Sequence, residues 1–212
     1  ISLNKILKII PKPGIFDMIS YAKSKGLKDI VLNSNANLLD EETGRKLIKS
    51  GLDAIYIGID AFTSKTYSKI RVGGDYKKVV ENTLNLLRLK KKLKSSKPDV
   101  FVQFVEMDTN KKEKDDFIYF WKKNGVKVKI RPKVSWAGSI DAPNLVLDNK
   151  NRWPCHWAMQ TMSITSLGRV VTCAVDLDAK FIAGDITENS MEEIWNSSLK
   201  KLREFHVSGR FN

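Results

Sequence analysis

The chain has 212 residues, 42% hydrophobic and 29% charged, with 37 Lys and Arg against 24 Asp and Glu for a formal net charge of +13. These globular proportions exclude wholesale disorder, and the length allows one full domain with a small appendage. Two cysteines exclude a disulfide-built secreted scaffold and lead to the expectation of a reducing cytoplasm; no apolar run approaches the ~20 residues of a membrane span.

Apolar runs alternate with helix-like stretches along the first two thirds of the sequence. Helices are predicted over Phe16 to Lys25, Glu41 to Ser50, Tyr76 to Lys92 and Lys112 to Asn124. Three are followed by glycine and a β-branched run: Gly26 before Ile30-Val31-Leu32, Gly51 before Ala54-Ile55-Tyr56-Ile57, and Gly125 before Val126 to Ile130. Glycine just past a helix supplies the left-handed position, and the run after it reads as a strand. A fourth run, Val100 to Val105, follows the long helix. Four such alternations predict right-handed βαβ units and a parallel sheet, open or curled into a barrel. Chemistry in such sheets sits beyond the carboxyl ends of the strands. Those ends are Asn33 to Asn37, Gly58 to Ala61, Glu106 to Asn110 and Arg131 to Lys133, all carrying polar groups.

The pattern breaks after Arg131. A connecting segment is expected over residues 135–152, between a first domain of residues 1–134 and a second of 153–212. In the second, Thr161 to Thr165 and Arg169 to Cys173 flank Gly168 and predict a β-hairpin. A last helix is predicted from Ser190 to Phe205, opened by a Ser190/Glu193 capping box, with Ile194, Trp195, Leu199 and Leu202 on one face.

The positive charge is mostly lysine, densest in Arg88 to Lys97. Such a run can meet phosphate backbones, but no aromatic interleaves it to stack bases, and cations suit a helix end. A lysine-rich surface is the reading preferred over nucleic-acid binding. Cys155 and Cys173 frame the hairpin. By their chemistry alone they are a redox pair, half of a four-thiolate metal site, or buried small residues. A zinc site completed by His156 and His206 is a weaker idea, because Cys155 and His156 adjoin.

The sequence Cys155-x12-Gly168-x4-Cys173, followed by Gly184-Asp185-Ile186 and Glu193-Ile194-Trp195, resembles the opening half of a SPASM or twitch domain. That is the C-terminal extension of many radical S-adenosylmethionine (radical SAM) enzymes, where cysteines hold auxiliary iron–sulfur clusters. Upstream, Leu32 to Ala36 resembles the strand-end "TNG" element of the radical SAM partial barrel, Ile57 to Ala61 its "SIDG" strand, and Arg71 to Tyr76 the loop leading to its next helix. The resemblance runs over roughly residues 12 to 206. It implies an incomplete α/β partial (β/α)6 barrel of about four parallel βα units, then a small SPASM-like hairpin plus helix.

In such enzymes S-adenosylmethionine lies against a 4Fe–4S cluster, and its reductive cleavage yields a 5′-deoxyadenosyl radical that abstracts a substrate hydrogen. The resemblance implies that Ser34 and Asn35 lie beside the cofactor, that Asp60 faces the cavity, and that Arg71 pairs with the methionyl carboxylate. Gln103 and Arg131 are further pocket candidates. It also implies that Cys155 and Cys173 supply part of the ligand set of an auxiliary 4Fe–4S cluster. The parent enzyme would take a peptide, sugar or small-metabolite substrate and an electron donor.

Three departures matter. Gly58 stands where the family usually has serine, the C-x3-C-x2-C of the radical cluster is missing, and so is the "GGEP" element. With Ile at position 1, these losses lead to the expectation of an internal fragment: two strands short at the front, short of a C-x2-C at the back, and inactive alone. The alternative is a degenerate, non-catalytic paralogue that binds a peptide or RNA. Two missing strands would also leave an uncovered apolar sheet face.

Overall fold

The computed structural model describes residues 14–136, 140, 153–176 and 178–210, divided into two units, Ile1–Lys133 and Val134–Asn212. The first runs α1 (Ile15–Ser24), β1 (Val31–Ser34), α2 (Glu41–Lys49), β2 (Ala54–Gly58), α3 (Ser64–Ile70), α4 (Tyr76–Lys92), β3 (Asp99–Glu106), α5 (Lys114–Lys123) and β4 (Lys127–Pro132). The strands form one parallel sheet in the order β1-β2-β3-β4. Gly26, Gly51 and Gly125 close α1, α2 and α5 with φ of 79°, 83° and 73°, a left-handed region that costs any other side chain.

Side chains alternate across the sheet. Leu32, Ile55, Ile57, Val100, Val102 and Phe104 enter a core with Leu47 of α2, Val79 and Leu86 of α4, and Phe117 and Trp121 of α5. Each large apolar side chain withdrawn from water in this way contributes roughly 1.5–3 kcal/mol. Asp40, Thr63 and Asp75 cap α2, α3 and α4 through the amides of Thr43, Thr66 and Lys78. Helix α3 escapes the sequence reading because it is short and buries a single side chain, Tyr67. The densest lysines fall in the last turn of α4, at Lys90, Lys91 and Lys92, where the helix dipole favours cations.

The opposite face of the sheet is not the apolar surface expected. In register across it stand Asn33, Tyr56, Phe101 and Lys127, then Gly58, Gln103 and Lys129, then Val105 and Arg131. Tyr56 and Phe101 stack with ring centroids 4.5 Å apart. The Lys127 and Lys129 ammonium groups lie 5.2 Å and 5.4 Å from the Phe101 and Tyr56 centroids.

The second unit runs α6 (His156–Gln160), β5 (Ser163–Ile164), β6 (Arg169–Val171), β7 (Ile182–Asp185), α7 (Met191–Asn196) and α8 (Ser198–Val207). The predicted hairpin is β5–β6, and β7 adds a third antiparallel strand that the sequence reading did not anticipate. The Ser190/Glu193 capping box forms, but the single helix expected beyond it is two. The chain breaks at Ser197, with φ −108° and ψ −95°. Val170, Ile194 and Leu199 are the buried centre of this unit. The connecting segment expected at 135–152 lies outside the described residues, apart from Ser135, Trp136 and Ile140.

Candidate functional site

Asp60 follows β2 and takes φ of 61°, a left-handed conformation that aspartate tolerates better than most residues. Its carboxylate is spent on three donors. Oδ1 accepts from the Val105 amide at 2.7 Å, and Oδ2 accepts from Arg71 Nε at 3.0 Å and also from Arg71 Nη2. Both residues are buried, 3% and 8% exposed, so each needs the other. The remaining guanidinium nitrogen, Arg71 Nη1, is buried without a hydrogen-bond partner. Gly58 makes room for this arrangement. A Cβ at that position would sit 2.7 Å from Arg71 Nη2. The missing serine and the inward arginine are therefore one feature: the guanidinium fills the space that a side chain at position 58 would need.

Ser34 and Asn35 lie at the same carboxyl end of the sheet, on the neighbouring strand end. Ser34 is buried and its Oγ accepts from the Ala36 amide at 3.0 Å; Asn35 Oδ1 accepts from the Asn37 amide at 3.1 Å. Both side chains thus shape the turn after β1, which Asn82 Nδ2 anchors by donating to the Ala36 carbonyl at 2.7 Å. Gln103 Nε2 reaches across β2 and donates to Asn33 Oδ1 at 3.0 Å.

Two residues with structural authority over this rim carry no sequence signal beyond polarity. Fully buried Asn110 donates from Nδ2 to the carbonyls of Asp60 and Val105, each at 2.8 Å, and accepts from the Met107 amide at 2.7 Å. Glu113 accepts from the amides of Phe62 and Thr63 and from the hydroxyls of Thr63 and Thr66. Burial works to raise the Glu113 carboxyl, but these bonds outweigh it and hold its pKa below the ordinary 4.5. A depressed folded value means stability that is complete above the unfolded value and is lost as pH falls through the folded one. Glu113→Gln is therefore expected to lower stability by about 1 kcal/mol at neutral pH and to flatten the acid limb of the stability curve. Urea denaturation between about pH 3 and pH 7 measures both. An unchanged acid limb would contradict the assignment.

In the second unit the recognised sequence elements pack on one another. Gly168 has φ of 86° and accepts at its carbonyl from the Ile186 amide at 3.0 Å. Gly184 lies under Ile194, whose Cγ1 would be 2.8 Å from any added Cβ. Asp185 Oδ1 accepts from the amide and hydroxyl of Thr187, at 2.9 Å and 2.7 Å. Cys155 and Cys173 are half-buried free thiols. The Val175 amide donates to Cys173 Sγ at 3.4 Å, and the Cys155 amide donates to His206 Nδ1 at 3.4 Å. His156 is exposed. Among the described residues no three His, Cys, Asp or Glu side chains gather as a metal site, and no helix is long and apolar enough to cross a membrane.

Comparison with known proteins bears on both units. Residues 9–97 match the family model of the radical SAM superfamily, and residues 155–212 match that of the iron–sulfur cluster-binding domain SPASM. Over 92 residues the chain is 32% identical to a probable GTP 3′,8-cyclase of Methanococcus maripaludis, covering 43% of this chain and 29% of that protein. The chain therefore spans under a third of the length of that curated relative. The fold is similar to that of BtrN in complex with AdoMet and 2-DOIA, with a TM-score of 0.51 at 16% identity over 93% of this chain and 75% of that one. It is similar also to Streptococcus suis SuiB bound to S-adenosylmethionine, with a TM-score of 0.52 at 12% identity over 92% of this chain and 54% of that one. At such identities the two structures speak for the fold, and the family matches speak for descent. Residues 9–97 are thus a radical SAM region, and residues 155–212 an iron–sulfur cluster-binding region of the SPASM type.

Proposed function

We propose that the first unit is the S-adenosylmethionine cradle of a radical SAM oxidoreductase or maturase. In this reading Cys155 and Cys173 serve an auxiliary 4Fe–4S cluster, and the parent enzyme modifies a peptide side chain, a sugar or another small metabolite. The observation that carries the reading is Arg71 Nη1, a charged donor buried with no acceptor. Buried donors are almost always satisfied, and a methionyl carboxylate is an acceptor of the right charge for a fixed guanidinium. Asp60 would hold Arg71 in place, and Ser34 and Asn35 would shape the adjoining wall. Bound and reduced, S-adenosylmethionine would supply hydrogen-abstracting chemistry.

The fit to the clusters differs between the two units. Residues 1–154 contain no cysteine, so they do not fit the radical cluster; its thiolates, and the contact with an electron donor, would come from outside this sequence. The second unit fits in part. An amide donor on Cys173 Sγ is a usual means of tuning cluster sulfur, while two thiols are half of the usual four.

Calorimetric titration with S-adenosylmethionine tests the cradle. Saturable binding is expected, weakened about tenfold by Arg71→Lys, which keeps a charge for Asp60 but loses the guanidinium fork. Binding that ignores this substitution would sink the role given to Arg71. Anaerobic reconstitution with iron and sulfide, followed by dithionite and S-adenosylmethionine, is expected to give no 5′-deoxyadenosine from this chain alone. The lack of cysteine in residues 1–154 also favours a second reading, a non-catalytic paralogue that binds peptide or RNA. The neighbouring genomic DNA discriminates: a C-x3-C-x2-C upstream and a C-x2-C downstream favour the enzyme.

A further inference from the structure

The sheet face opposite the helices carries more positive charge than it can neutralise. Its side chains are Val31 and Asn33 of β1, Ala54, Tyr56 and Gly58 of β2, Asp99, Phe101, Gln103 and Val105 of β3, and Lys127, Lys129 and Arg131 of β4. The one acid among them, Asp99, is already paired with Lys127 at 3.0 Å and Lys97 at 2.8 Å. Among the described residues neither Lys129 nor Arg131 has an acidic partner. Arg131 Nε is moreover buried and without a hydrogen bond. Lys129 is drawn over the face by Tyr56, as expected for an ammonium beside an aromatic quadrupole.

Arg71 belongs to the same face, because its guanidinium occupies the place of the missing Gly58 side chain. That puts cations at both ends of one row, on β2 and on β4. Two strand spacings, about 10 Å, separate the backbones of Gly58 and Lys129, and Arg131 lies two residues further along β4.

We infer that Lys129 and Arg131 form a second anion subsite, which takes a carboxylate or phosphate group carried by the substrate, over the Tyr56–Phe101 stack. This rests on the cradle reading for the identity of the first anion, and it names the substrate class: an anionic small molecule. Gln103, on β3 between Gly58 and Lys129, hydrogen-bonds to Asn33 on β1 and supplies a polar contact without competing charge.

The test uses the protein with its lysines ¹³C-methylated, titrated with inorganic phosphate and with succinate, and followed by NMR and calorimetry. Saturable binding of one or both probes is expected, with the Lys129 signal moving. Lys129→Ala and Arg131→Ala should each weaken it about tenfold, the loss of one charge-assisted contact. Lys91→Ala, at the end of α4, should leave it unchanged. Tighter phosphate binding assigns a phosphorylated substrate, and tighter succinate binding a carboxylate. Saturating S-adenosylmethionine should leave probe affinity within about twofold, given two subsites. Absence of saturable binding, equal weakening by Lys91→Ala, or displacement of the probe by S-adenosylmethionine would each overturn the inference. Probe binding without S-adenosylmethionine binding would instead overturn the cradle reading and leave the anion subsite standing.

Discussion

Asp60→Ala is expected to destabilise the first unit by about 3–5 kcal/mol, the cost of stranding a buried charge by removing its partner. The substitution strips Arg71 of the acceptor for Nε and Nη2 and leaves the Val105 amide unmet. Asp60→Asn should cost nearly as much, since the shape is kept but the negative charge is gone. The double variant Asp60→Ala/Arg71→Met should cost less than the sum of its single substitutions, because two apolar groups leave no orphaned charge. Urea denaturation of the four proteins measures the cycle. A single-site cost below about 1 kcal/mol would mean that water reaches the pair and that it is no buried ion pair at all.

Gly184→Ala is expected to cost about 1–3 kcal/mol, as over-packing does in a tight core. The effect should show in the second unit, where Ile194 packs with Val170 and Leu199 in a small buried cluster. The added methyl would meet Ile194 at Cγ1, Cδ1 and Cγ2, at 2.8, 2.9 and 3.2 Å, so no rotation of one terminal group relieves it. Ile194→Val removes Cδ1 and should recover part of the loss in the Gly184→Ala background, while being destabilising alone. Thermal melting of both single variants and the pair reads this out. Independent, additive effects would show that the Gly-Asp-Ile and Glu-Ile-Trp elements do not meet as described.

Alternation of helix and strand was legible because the ends of α1, α2 and α5 are each marked by a glycine with a defined conformational task. The apolar runs that follow are short and β-branched. The capping box at Ser190 was legible for the same reason: it is local. The break at Ser197 was not, since Ile194, Trp195, Leu199 and Leu202 keep an apolar face across it, and periodicity reads through a kink. The contact between Asp60 and Arg71 depends on the return of the chain through α3 and on the absence of a side chain at Gly58. Pattern rules score residues that are present, and here an atom that is missing decides the packing. Asn110 and Glu113 were hidden because a loop asparagine and a glutamate near a helix start are ordinary; the Asp60 carbonyl that Asn110 binds, and all the donors to Glu113, come from residues about fifty positions earlier.

Those two side chains have a dynamic consequence. The loops after β2 and β3 contain little regular structure, yet the amides of Phe62, Thr63, Val105 and Met107 are each held by the side chain of Asp60, Asn110 or Glu113. This part of the rim should therefore exchange its amide protons slowly, as a stiff template that loses little freedom when a ligand arrives. The turn after β1 is held in the same manner, its Ala36 and Asn37 amides by Ser34 and Asn35 and its Ala36 carbonyl by Asn82, so the stiffness extends along the rim.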